Sequence, residues 1–341
     1  MLVIDSPIAL LATGAITALL IVFTGIRLSK VADILADRTG LGEALAGALM
    51  LGAVTSLSGL VTSVTAASRG LPELAISNAV GGIAAQTVFL VIADLSYRRA
   101  NLEHAAASLE NMMQGALLIA CLSLALAAMS VPDIAIFSIH PASIAIVALY
   151  LGGLPLVRGA REVPGWRPRS TIETSMDEPD PDNEERPLRP LMIEFLALAA
   201  LTAGSGYFLA AAADGAVARY GVSEALLGAF ATAIVTSLPE LVTTLAAVRR
   251  GALALAIGGI IGGNSFDTLF IVASDIAYRE GPIYADIANS QQFLMTLTIL
   301  MTAILVMGLL SRQRQGPGGI GFETILLIVA YLGGAAILAL L

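Results

Sequence analysis

The chain has 341 residues, 57% of them hydrophobic and only 13% charged, with a mean hydropathy of +0.86 and a net charge of −8. Ordinary soluble domains carry about a quarter of their residues as charges, so a soluble domain is excluded and the lipid bilayer is the first expected partner. No nucleic-acid partner is expected.

Apolar runs near 20 residues recur along the chain, long enough to cross a hydrocarbon core of about 30 Å as helices. We read ten, at about 7–27, 42–67, 72–93, 112–131, 134–157, 191–213, 223–247, 252–274, 291–310 and 321–340. A membrane β-barrel would show short alternating segments instead. The first run follows Asp5 with no basic residue and no small-residue cleavage site, so it reads as a retained span. His140-Pro141 is expected to interrupt the fifth. Cys121 reads as a small buried hydrophobe. His104 and His140 lie near span ends without metal-ligand spacing and read as structural.

Residues 158–190 break the pattern with Pro, Arg and the acidic run 177–185, and are expected to form a flexible linker. The run lacks the glycine turn and ligand spacing of an EF-hand loop. The expected units are therefore a first five-helix half, 1–157, the linker 158–190, and a second five-helix half, 191–341. Ten spans place three of the eighteen Lys and Arg residues on one side, Arg69, Arg219 and Arg279, and fifteen on the other. Positive residues favour the cytoplasm. The expected placement is a multi-pass protein of the inner or plasma membrane with both termini extracytoplasmic and the linker cytoplasmic.

Residues 40–98 align without a gap onto 221–279, with 27 identities in 59 positions. Five spans per half make the second half enter the membrane upside down relative to the first. The fold class is thus all-α and polytopic, ten transmembrane helices as two inverted five-helix repeats, a recurrent plan of secondary transporters whose site lies at the repeat interface.

The copies differ in charge. Val-Thr-Ser-Leu-Ser-Gly-Leu-Val-Thr at 54–62 faces Val-Thr-Ser-Leu-Pro-Glu-Leu-Val-Thr at 235–243, so Glu240 stands where the first copy has Gly59, and Asp267 where it has Gln86. An acid inside an apolar span is costly and marks a functional site. Thr236, Ser237, Glu240 and Thr243 share one helical face. Pro239 and the stretch Gly258–Asn264 are expected to interrupt their helices. Carboxylates, hydroxyls and freed carbonyls are hard oxygen ligands that suit Na⁺ or Ca²⁺. No basic residue stands beside them at mid-span. Asp94 and Asp275, each followed by a Tyr-Arg pair, read as interface anchors, and Glu43 and Glu224 as first-turn helix acids.

Thr236-Ser237-Leu238-Pro239-Glu240-Leu241, followed by Gly262-Gly263-Asn264-Ser265-Phe266-Asp267, resembles the α-repeat of the sodium/calcium exchanger family of cation antiporters. The resemblance implies antiport of Ca²⁺ against Na⁺, K⁺ or H⁺. It implies that Glu240 and Asp267 bind the metal cation, with Thr236, Ser237, Thr55 and Ser56 assisting and Asn264, Gln86 and Asn78 completing the cation-binding set. No cofactor is implied, only transported ions. The first repeat departs from the family, with Gly59 for its Glu, Ser58 for its Pro, and Gln86 at the partner position. In the second, Gly259 and Gly263 replace a frequent Asn and Ser. A site charge near −2 argues against exchange of three Na⁺ for one Ca²⁺. The competing readings are a monovalent cation/proton antiporter, a non-transporting member and a cation channel. With no histidine cluster, nucleophile elbow or phosphate loop, an intramembrane enzyme is not expected.

Overall fold

The computed structural model describes residues 6–39, 54–97, 100–132, 134–162, 165–166, 187–316 and 320–341. Glu43, the start of the second span, and most of the 158–190 linker lie outside the described residues. Twelve α-helices carry the described chain: α1 Pro7–Thr39, α2 Leu57–Ser68, α3 Pro72–Ser96, α4 Leu102–Ala106, α5 Leu109–Ala128, α6 Pro141–Glu162, α7 Leu188–Tyr220, α8 Glu224–Leu226, α9 Ala233–Arg250, α10 Leu253–Ala277, α11 Asn289–Ser311 and α12 Phe322–Leu338. A π-helical segment, Leu227–Thr232, joins α8 to α9. Eight of the helical stretches are long and apolar enough to cross a membrane, and α2 and α12 are shorter apolar helices at the second and tenth predicted spans. The protein is a polytopic all-α membrane protein.

The 181-residue offset extends beyond the aligned window. Adding it to the bounds of α1 and α3 gives those of α7 and α10, and α12 starts one offset after α6. Each half also turns on a glycine in the left-handed region, Gly70 (φ 77°) between α2 and α3, and Gly251 (φ 83°) between α9 and α10. A side chain with a Cβ is strained there, so the two tight helical hairpins have the same cause.

The hairpins form the centre. α3 packs against α9, α10 and the π-helical segment, and α2 against α10. α3 is the most enclosed span and α1 the least. α1 and α7 lie against each other, tied by Thr24 to Thr202 (2.8 Å) and by Arg27 to Glu194 (2.6 Å). Each of these two long helices meets the centre through a glycine. A Cβ on Gly25 would stand 2.5 Å from Pro239 Cγ, and one on Gly206 would stand 2.5 Å from the Ser58 carbonyl oxygen. Gly25 and Gly206 are repeat equivalents, and so are Ser58 and Pro239.

Three expectations are corrected. α9 and α10 run unbroken through Pro239 and through the glycines 258–263. Those glycines serve close packing instead: a Cβ on Gly258 would stand 2.9 Å from Asn111 Oδ1, and one on Gly262 would stand 3.3 Å from Gln114 Oε1. The irregular backbone lies upstream, in the π-helical segment and at the turn residue Ser56. Second, His140-Pro141 does not interrupt the fifth span but starts it, since proline at a first helical turn lacks only an N–H that would be unpaired anyway.

Third, Asp94 and Asp275 are staples between the halves. Asp275 Oδ2 accepts from the His140 N–H (2.9 Å) and the Ser143 hydroxyl (2.7 Å) at the start of α6, while Oδ1 accepts from the Ile283 N–H (2.9 Å). Asp94 repeats the pattern, taking the Leu102 N–H (2.8 Å) and the Thr324 hydroxyl (2.8 Å) at the start of α12. Each half thus holds the last helix of the other. Glu224 likewise accepts from the Leu74 N–H (3.1 Å), so it serves the start of α3. Asp275→Ala is expected to cost about 1–3 kcal/mol for each buried donor left unpaired. Its thermal midpoint should fall well below that of Asp275→Asn, which keeps an acceptor oxygen.

Candidate functional site

Two acids from one repeat and polar residues from the other meet at the crossing of the hairpins. A small cavity there, with room for about one water-sized body, is lined by Ser56, Gly59, Asn78, Ala79, Gly82, Gln86, Thr236, Ser237, Glu240, Asp267 and Phe270. Glu240 comes from α9, Asp267 from α10, Asn78 and Gln86 from α3, and Ser56 from the turn before α2.

The Ser56 hydroxyl donates to Glu240 Oε1 at 3.2 Å and lies within hydrogen-bonding reach of Asp267 as well. Thr55 also hydrogen-bonds the Glu240 carboxylate. Gln86 Nε2 donates to Asp267 Oδ2 at 2.8 Å and to Ser237 Oγ at 3.3 Å. Gln86 and Asp267 are repeat equivalents, so this bond crosses the pseudo-twofold axis between a residue and its own counterpart. Asn78 Nδ2 donates to the Gly59 carbonyl (3.1 Å) and to Ser63 Oγ (2.9 Å). Thr236 turns its hydroxyl to the Ala233 carbonyl (3.2 Å), and Ser58 Oγ reaches the Thr236 carbonyl (3.2 Å).

The amide and hydroxyl donors are spent inside this network, and acceptors are left over. Glu240 Oε2, Asp267 Oδ1, Gln86 Oε1, Asn78 Oδ1 and Asn264 Oδ1 are buried oxygens without a hydrogen-bond partner. A buried unpaired acceptor costs about 1–3 kcal/mol, so five at one crossing call for a positive charge. No Lys or Arg lines the cavity. The arrangement can hold one desolvated cation, or protons, against two carboxylates.

Of the sequence-derived set, Glu240, Asp267, Thr236, Ser237, Ser56, Gln86 and Asn78 line the cavity. Thr55 does not line it but hydrogen-bonds Glu240, which does. Asn264 stands beside it, donating to Thr87 Oγ1 at 3.2 Å. Phe270, like the small residues Ala79 and Gly82, lines the cavity without having been singled out in the sequence as a site residue, and Phe270 is the large one. It follows Asp267 by three positions, hence on the same helical face, and that spacing was the available signal. A Cβ on Gly59 would stand 3.0 Å from Phe270 Cε2, so the ring closes off the space beside the position where the family carries its first acid. Gly59→Glu is expected to destabilise by roughly 1–3 kcal/mol through overpacking. Adding Phe270→Ala should restore part of the thermal midpoint, and a further fall in the double variant would contradict this account.

The comparisons with known proteins agree with the architecture. The family described as "Sodium/calcium exchanger protein" matches residues 9–157 and 191–340. The chain is 33% identical over 137 residues to the putative antiporter CaxA of Alkalimonas amylolytica, a stretch covering 39% of this chain and 41% of that protein. It is 32% identical over 107 residues to the inner membrane protein YrbG of Escherichia coli (strain K12), 31% of each chain. The matched stretches thus span well under half of either relative. Among solved structures, the H⁺/Ca²⁺ exchanger CAX superposes with a TM-score of 0.68 at 15% identity, covering 96% of this chain and 84% of that one. YfkE gives 0.64 at 16% identity, covering 96% and 92%. The sodium-calcium exchanger NCX_Mj gives 0.59 at 18% identity, covering 97% and 99%. These likenesses carry the fold, and the family match across both halves establishes that the chain belongs to the sodium/calcium exchanger family.

Proposed function

We propose that the protein is a secondary cation antiporter that exchanges one Ca²⁺ for two protons at the Glu240–Asp267 site. The observation that carries the reading is the set of four buried, unpartnered oxygens on residues that line one small cavity, Glu240 Oε2, Asp267 Oδ1, Gln86 Oε1 and Asn78 Oδ1, with a fifth, Asn264 Oδ1, beside it. Oxygen-only donors suit a hard divalent cation. Two carboxylates balance one Ca²⁺, and two protons neutralise the same pair without needing room. Two Na⁺ ions would each require their own oxygen shell, which a cavity for about one water-sized body does not offer. Exchange on this count is electroneutral.

The packing supports a way to alternate access. α1 and α7 are bound to each other and touch the centre through Gly25 and Gly206. Small residues let helices approach and slide. In this reading the pair moves as one body past a fixed site. The termini face outward and the Arg-rich end faces the cytoplasm.

The test is ⁴⁵Ca²⁺ uptake by the purified protein in liposomes, with a pH, Na⁺ or K⁺ gradient imposed in turn. Uptake driven by the pH gradient alone and unaffected by membrane potential is the expected result. Uptake that needs Na⁺ would replace the proton in this scheme. Absence of Ca²⁺ uptake under every gradient, from folded protein, would leave a monovalent cation/proton exchanger or a non-transporting member.

A further inference from the structure

Away from the transport site, at the Arg-rich end of the bundle, three acids gather where α3, α4 and α12 meet. They are Asp94, Glu103 and Glu323, each nearly or fully buried, with Glu103 and Glu323 only 1% exposed. Asp94 is accounted for as the staple on Leu102 and Thr324. Glu103 and Glu323 are not. Their carboxyl groups are within hydrogen-bonding reach of each other, and the Oε2 atom of each has no donor. Two carboxylates have only acceptors to offer, so a hydrogen bond between them exists only if one carries a proton.

The pseudo-symmetry offers an internal control. The equivalent of Glu103 is Tyr284, and the equivalent of Thr324 is Ser143. At that opposite staple, the Tyr284 phenol lies 3.0 Å from Ser143 Oγ, beside the Asp275 carboxylate. A phenol always brings a proton at neutral pH. A carboxyl in the same place brings one only when protonated. The clasps differ in partner, since Tyr284 meets Ser143 whereas Glu103 meets Glu323, which stands where the first half has Ala142, and they differ in the proton, permanent at one end and removable at the other.

We infer that Glu103 and Glu323 form a proton-binding site, separate from the transport site, whose single shared proton clasps α12 and the α4 turn onto α3. The described titratable and charged groups facing it are Asp94 from α3, His104 from the same turn, and Arg312 beyond α11, whose guanidinium donates to the His104 carbonyl at 3.1 Å. Burial, then the Asp94 carboxylate, then Glu323 push the Glu103 carboxyl well above the ordinary glutamate range. With the folded pKa raised, the stabilisation is complete below the unfolded value of about 4.3. It is lost as pH rises through the raised folded value.

The test uses the full-length protein in detergent, with thermal midpoints measured from acidic to alkaline pH for wild type, Glu103→Gln and Glu323→Gln. An amide donates to the remaining carboxylate at every pH. The expected result is near-equal midpoints at acidic pH and a wild-type midpoint that falls by about 2–4 °C more than either variant's as pH rises. Infrared spectra at neutral pH should show a protonated-carboxyl stretch in wild type that is weaker in both variants. Parallel pH profiles, or an undiminished stretch in both variants, would overturn the assignment. So would failure of both amides to fold at acidic pH, because there they imitate the proposed state. A rise in midpoint on adding Ca²⁺ at alkaline pH that is larger in wild type than in both amide variants, which all keep the transport site, would mean a metal site in its place.

Discussion

Glu240→Gln and Asp267→Asn are each expected to reduce gradient-driven Ca²⁺ uptake to the background of empty liposomes, while the thermal midpoint stays at or above that of wild type. Either change halves the negative charge of the cavity and leaves a single carboxylate facing a divalent ion that has shed its water. Coulomb attraction between charges at about 4 Å is worth roughly 4 kcal/mol even in a partly screened interior, and 1.4 kcal/mol is a tenfold change in binding. Loss of one such partner removes binding by orders of magnitude. Stability moves the other way because a buried carboxylate with an unpaired oxygen, Glu240 Oε2 or Asp267 Oδ1, is itself a liability. A variant that is more heat-resistant and inactive would separate a site residue from a structural one. Wild-type uptake in both variants would remove these residues from the site.

The second large effect is expected from Gly25→Leu and Gly206→Leu. At Gly206 the obstacle is backbone: the new Cβ would lie 2.5 Å from the Ser58 oxygen and 3.3 Å from its carbonyl carbon. At Gly25 the obstacle is the rigid Pro239 ring. Neither can be relieved by turning a side chain, so α7 or α1 must back away from the centre. Overpacking of this kind costs about 1–3 kcal/mol and occasionally more. The exchange rate should fall more than Ca²⁺ affinity does, because the helix moved is not the one that holds the acids. Equilibrium ⁴⁵Ca²⁺ binding beside initial uptake rates distinguishes these outcomes. Equal losses in both would place the glycines in the site's own scaffold.

Legibility of the molecule in its sequence followed chemical contrast. Glu240 and Asp267 stood out because a carboxylate in an apolar run has few reasons to be there, and the repeat offset stood out because two copies can be laid side by side. Phe270 gave no contrast, being an apolar residue in an apolar helix, although it closes one wall of the cavity. The glycines of α10 were ambiguous for a physical reason: glycine permits both a break and a close approach, and only Asn111 and Gln114 on a neighbouring helix decide between them. Asp94 and Asp275 were misread because much of what they bind is backbone N–H, which every residue but proline offers and no sequence pattern marks. α1 and α7 outran their predicted spans because hydropathy ends where Arg27, Lys30 or Arg189 enters, while the helices continue past the apolar stretch.

The reciprocal staples also set an order on biogenesis. A ribosome delivers Asp94 long before Thr324, so when α12 emerges the acceptor that receives its first turn is already in place. α6 has the opposite history. Its first residues are synthesised more than a hundred residues before Asp275, the carboxylate that receives the His140 N–H and the Ser143 hydroxyl. The first half is therefore made with only the local His140 ring to receive a donor at that helix start, the Ala142 N–H, and its contact to the other half comes with the second half.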